Sequence, residues 1–133
     1  MSYDQSVVVS FKAAEAITEF ALVSQDANGK IVITDSAAAT SAGAACVGVT
    51  QRACNSGDMV DVVIQGLTRA IAGASITFNS TPLLMATTDG KAIAHATSGN
   101  YSIGRVVPNV NQTSASANEQ ITIVFTGANN LLP

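Results

Sequence analysis

The chain predicts an all-β fold: a small single-domain β-barrel or sandwich of short antiparallel strands with an internal pseudo-repeat, an N-terminal arm and little helix. Three observations lead there. Residues 46–66 (CVGVTQRACNSGDMVDVVIQG) run as a short apolar stretch holding a glycine, a polar loop, and an acid-led β-branched stretch that closes on glycine, the pattern of strand, loop and strand. Residues 102–127 (SIGRVVPNVNQTSASANEQITIVFTG) repeat that order in looser form. Upstream, residues 22–33 (LVSQDANGKIVI) are echoed by 83–94 (LLMATTDGKAIA), each with an apolar pair, a polar run, a Gly-Lys turn and a small or apolar strand. Gly29 and Gly90, Asp58 and Glu119, and Gly66 and Gly127 all stand 61 positions apart, whereas Gly48 and Gly104 stand 56 apart. The length difference therefore falls in loops, where packed strands permit it. Two copies are too few for a solenoid.

Taken in order, residues 6–11 (SVVVSF) form a β-branched strand. Residues 12–20 (KAAEAITEF) read two ways, since Ala13, Ala14, Glu15 and Ala16 favour helix while Ile17, Thr18 and Phe20 favour strand. Residues 1–20 stand outside the repeated block as an arm or edge strand, and such a strand is free to pair with something else. Residues 21–127 make the β-domain, with related halves at about 22–66 and 83–127, and 128–133 make a C-terminal tail. Asn28-Gly29 gives a hairpin turn between residues 21–23 and 31–34. Residues 35–45 (DSAAATSAGAA) carry too much Ser, Thr and Gly for an alanine helix and read as a surface loop. After the first copy, 67–72 and 75–78 surround Gly73, 79–82 (NSTP) turn, and Asp89-Gly90 repeats the hairpin. Residues 109–118 are the longest polar loop and 120–126 the closing strand. The tail ends on Leu131 and Leu132, which would be odd on a free end; they are expected to dock on the domain or on a neighbour.

Composition narrows the function. A chain of 133 residues suits one domain, and should bury roughly two thirds of its unfolded surface. Charged residues make up 11%, against about 25% in an average soluble domain. Apolar residues reach 47%, much of it alanine, and aromatics only 5%. A weakly charged surface of small side chains suits a protein that spends its life packed against partners. The net charge of −3 comes with no basic cluster, so neither nucleic acid nor an anionic membrane is an expected partner. No stretch is apolar and long enough to span a bilayer. The amino terminus lacks the basic start of a signal peptide, and a chain made and kept in the cytoplasm is expected. A bridge between Cys46 and Cys54 is geometrically conceivable, but in that compartment two reduced, hydrophobic cysteines are expected.

The pattern carries no catalytic signature. His95 is the lone histidine, in AIAHATSG, with no G-x-S-x-G elbow. One His and two Cys fall short of a structural zinc set, so no metal or cofactor is expected. Asp58 and Asp61, three apart at a strand start, face opposite sides; Asp58 is expected to cap a turn and Asp61 to face solvent. Neither phosphate-loop pattern occurs, and the two Gly-Lys pairs lead into strands, where no helix N-terminus awaits a phosphate. No enzyme activity is expected.

The order of motifs resembles the small capsid decoration, or cement, proteins of tailed bacteriophages. The likeness rests on an opening apolar run leading to FKAAEAITEF, then ANGKIVIT, GVT before DMVDVVIQG, AIAGASITFNSTPLLMATTDGKAIA, SIGRVV and EQITIVFTG, and covers about residues 6–127. Residues 116–119 (SANE) depart from the plain Ala-Gly-Glu common before the last strand of such proteins. The resemblance implies a compact, often trimeric β-domain on the outside of the phage head, clamping neighbouring copies of the major capsid protein. Its expected contact residues are Val7, Val8, Val9 and Phe11, adding a strand to a neighbour, with Leu131 and Leu132 as a second anchor. The competing assignment turns Val7, Val9 and Phe11 onto the domain's own core at alternate positions. The rival class is a small β-sheet binding module, carbohydrate-binding or adhesive, on a tail fibre or cell surface. With no tryptophan and only Tyr3 and Tyr101 as tyrosines, the chain is poor in rings for stacking on sugars.

Overall fold

The computed structural model describes residues 6–33, 46–80, 82–87, 89–94, 102–107 and 112–126. Among them are eleven strands: β1 (Ser6–Lys12), β2 (Leu22–Gln25), β3 (Ile31–Ile33), β4 (Cys46–Thr50), β5 (Met59–Ile71), β6 (Ile76–Thr77), β7 (Leu83–Ala86), β8 (Ala92–Ala94), β9 (Gly104–Val106), β10 (Ser114–Ala115) and β11 (Gln120–Phe125). Nine build one sheet in the order β3-β2-β4-β5-β11-β9-β7-β8, with β1 joined to β5 beside that path, while β6 and β10 form a ribbon. The ladders are antiparallel, the sheet curls into a half-barrel, and the predicted all-β single domain is what the chain adopts.

The one long strand is β5, of 13 residues. Its first half buries Val60 and Val62 and exposes Met59 and Asp61; its second half buries Thr68 and Ala70 and exposes Arg69. That alternation is what a pleated strand with one covered face requires. Between the halves lies a bulge, for Val7 faces Gln65 and Val8 faces Val63, leaving Ile64 as the extra residue. Val63 pairs with Val8 and also with Val49, and Gly66 with Ser6 and also with Phe125. One edge of β5 is therefore lined by β1 and the other by β4 and then β11.

The two halves repeat bond for bond. Ala13 N–H donates to Asp58 O at 2.8 Å, as Ala72 N–H does to Glu119 O at 2.8 Å. Gly57 N–H donates to Ala13 O at 2.8 Å, as Asn118 N–H does to Ala72 O at 2.7 Å. Asp58 and Glu119 each accept from a backbone N–H three residues earlier, Asn55 and Ser116, so both acids close their own turns. Asp61 is exposed, as expected, and accepts from the Ser10 hydroxyl at 2.8 Å. The glycines inside β4 and β9, Gly48 and Gly104, share one cause. A Cβ on Gly48 would lie 2.5 Å from Val63 O and one on Gly104 2.1 Å from Val124 O, so the closing strand of each half passes too near for any side chain.

The correspondence reaches further upstream than the spans 22–66 and 83–127. Ser10 pairs with Asp61 and Lys12 with Met59, just as Arg69 pairs with Thr122 and Ile71 with Gln120. Strand β1 is thus the counterpart of residues 67–71, and the repeated units run over 6–66 and 67–126, with β5 shared between them. The match was hidden because SVVVSFK and LTRAI share no motif and lie 59 apart, out of the 61-residue register. Residues 12–20 form no helix but isolated bridges joined by a bend and ending in a turn: Ala13 bridges Ile31 and Ile17 bridges Cys54, the latter matching the Ile76–Ala115 pair. The hairpin turns are three-residue loops rather than tight Asn-Gly or Asp-Gly pairs, with Asp26 N–H donating to Lys30 O and Thr87 N–H to Lys91 O, each at 2.8 Å.

Two apolar clusters result. The smaller holds Ala13, Ile17, Ala21, Val23, Ile31, Cys54, Val60 and Val62. The larger is built on the matching positions of the second unit, among them Ala72, Ile76, Leu84, Ala92, Ala115, Ile121 and Ile123. Neither cysteine is in a disulfide and both are buried, Cys46 in the larger cluster and Cys54 in the smaller.

Candidate interaction surface

Strand β1 carries four of the six residues expected to make contacts. It is hydrogen-bonded to β5 along one edge, and among the described residues its other edge has no strand partner. Val7 and Val8 are each 50% exposed and Val9 38%. Phe11 is half-buried and packs on the smaller cluster. The assignment to the domain's own core therefore fits Phe11 and not the valines. The bulge opposite Val7 and Val8 lies in β5, at Ile64. Met59, 53% exposed at the start of β5, is the other large apolar side chain left in water among the described residues. A large apolar surface left in water marks a contact site more often than chance. Leu131 and Leu132 lie outside the described residues, as do His95, Tyr3 and Tyr101.

A second feature sits at the joint between the units, where β4 leaves β5 and β11 takes its place. A cleft of about 430 Å³ is lined there by Phe20, Gln51, Leu67, Thr68, Arg69 and Thr122. Gln51 Nε2 donates to Thr68 Oγ1 at 2.9 Å and to Val49 O at 3.1 Å, and Arg69 Nη1 donates to Gln120 Oε1 at 3.1 Å. Phe20 holds φ at 57°, a region a bulky residue rarely adopts; its N–H donates to Thr50 O at 3.0 Å and its ring packs on the larger cluster. Amide, hydroxyls and one guanidinium can hold surfaces together, and none of the lining groups is a carboxylate, imidazole or thiol. Sequence reading passed over this joint because nothing in ITEF announces a positive φ at an aromatic residue. Among the described residues no three His, Cys, Asp or Glu side chains are grouped to hold a metal ion.

In class the molecule is a small, internally duplicated β-domain whose distinctive surface is an apolar edge strand. No protein-family model matches the chain, and no curated protein matches it in sequence. In fold it is similar to the N base of the head fibre gp8.5 of bacteriophage phi29, with a TM-score of 0.62 over 93% of this chain and 98% of that one, at 17% identity.

Proposed function

We propose that the chain is a structural protein of a phage head: a decoration or cement protein, acting as a homotrimer, that seats on the outer surface of the assembled shell and holds neighbouring major capsid subunits together. The observation that carries this reading is the end-to-end likeness of fold to a head-fibre base. A part with that name is one that sits on a head. The weakly charged surface and the exposed valines of β1 agree with a life spent in contact. The reading assigns the chain no reaction and no cofactor. Its effect is thermodynamic, because a protein that binds only the expanded lattice stabilises that lattice by mass action, and several weak contacts on one oligomer add through effective concentration. The chain would be made in the host cytoplasm and end on the virion exterior.

Co-sedimentation tests it. Purified protein mixed with expanded and unexpanded shells is expected to pellet with the expanded form alone and to raise the temperature at which those shells disrupt. Protein that stays in the supernatant with both, or a defined sugar captured on a glycan array, would defeat the reading.

A further inference from the structure

The two units share one hydrogen-bonding plan, yet only one has its core closed from outside. Leu22, Cys46 and Val49 point away from the first unit's own cluster and belong to the second unit's, with Phe20 packed beside them. The β7–β8 turn completes that contact: Leu22 N–H donates to Gly90 O at 2.8 Å, and a Cβ on Gly90 would lie 3.5 Å from Ala21 Cβ and 3.0 Å from Ile33 Cγ2. Gln51, reaching to Thr68, adds a polar tie.

Among the described residues nothing gives the first unit the same cover, and the positions that would receive it stand half-buried or exposed. Phe11, Val47 and Ile64 are half-buried, whereas Ala70, Ile103 and Phe125, their counterparts, are buried. Val8 and Val9 stand exposed where the second unit has the half-buried Leu67 and the buried Thr68. The turn at Gly29 has nothing within 4 Å of its Cβ position, while the matching Gly90 is packed. At the far end, the second unit offers the counterpart of the covering face. Pro82, Leu83, Ala94 and Val107 are half-buried and Arg105 is exposed, in the places of Ala21, Leu22, Ile33, Gln51 and Val49. Met85 and Ser102, in the places of Ser24 and Cys46, are already buried.

We infer that the first unit of one copy docks on the outward face of the second unit of another copy, repeating between chains the contact that joins the units within a chain. The occupant is a second copy because the cover this face lacks is the cover its own repeat supplies. Val9 then meets Val107 of the neighbour, an apolar pair where the contact within the chain has Gln51 and Thr68. The Gly29 turn lands on Pro82 and Leu83 of that neighbour. Such a contact is heterologous, using two different surfaces, so it closes into a ring or continues as a filament. It rests on the repeat alone and not on the identity of any shell.

Two measurements on the full chain, with no shells present, decide it. Asn28→Cys and Pro82→Cys are made separately, Cys46 and Cys54 being buried, and each is oxidised mildly alone and then as a mixture. The expected result is a covalent dimer in the mixture and none from either variant alone. In sedimentation equilibrium the unmodified chain is expected to self-associate and Val9→Asp, at an exposed position, to do so at least tenfold more weakly with unchanged β circular dichroism. A wild-type monomer, a Val9→Asp variant that assembles like the wild type, a mixture that does not cross-link, or efficient dimers from Asn28→Cys alone would each overturn the proposal.

Discussion

Gly104 is a position where a single added carbon meets another strand's backbone. A Cβ there would stand 2.1 Å from Val124 O and 3.0 Å from Val124 C, and a ladder carbonyl has no rotamer by which to step aside. Gly104→Ala is expected to cost about 3 kcal/mol or more, at the upper end of overpacking effects, read as a lower urea midpoint at unchanged slope. Turns tell a milder story at the same scale. Gly57 has φ of 89° and its counterpart Asn118 has 72°, and Asn is the side chain that best tolerates that region after glycine. Some of this was legible in sequence: Asp58 and Glu119 were read as matching acids, and each closes a turn. Phe20 was not, because its positive φ goes with tertiary contacts, an N–H bond to Thr50 O and a ring packed on the larger cluster, and not with its own preference.

At the scale of the strand, β1 separates two kinds of apolar residue that look alike in SVVVSF. Phe11 packs on the smaller cluster and the valines do not. Phe11→Ala is expected to lower stability by about 2 kcal/mol, less than the cost at a fully buried site. Val8→Ala, measured on dilute protein where copies do not meet, should change it by less than about 0.5 kcal/mol. Denaturant titration of the two variants checks both values, and equal losses would mean that the valines are buried after all. The strands themselves were readable from β-branched runs and turn residues. The membership of β1 in the repeat was not, because pairing with β5 constrains backbone register and leaves the outward side chains free to diverge.

At the scale of the whole molecule, the two clusters of the described residues interlock. Cys46 comes from the first unit and is packed in the second unit's core, while Cys54 lies in the other cluster, so the native thiols report on both cores at once. Pulsed thiol labelling across a urea gradient is expected to show both becoming reactive at one midpoint, as a two-state domain requires. Separate midpoints would show that the units unfold independently. The all-β class, the duplication and the hairpins follow from local pattern in the chain, but the way one unit roofs the other depends on Leu22 and Val49 facing away from their own core, and alternation alone does not say which neighbour lies behind a strand.

Strand β5 ends one unit and begins the next without a linker. A protease therefore finds no hinge at the boundary, and recombination at Gly66 would sever a ladder on both of its sides. Trade of segments between chains of this design is better borne at exposed turns such as 55–58, where a crossover leaves every backbone pairing of β5 intact.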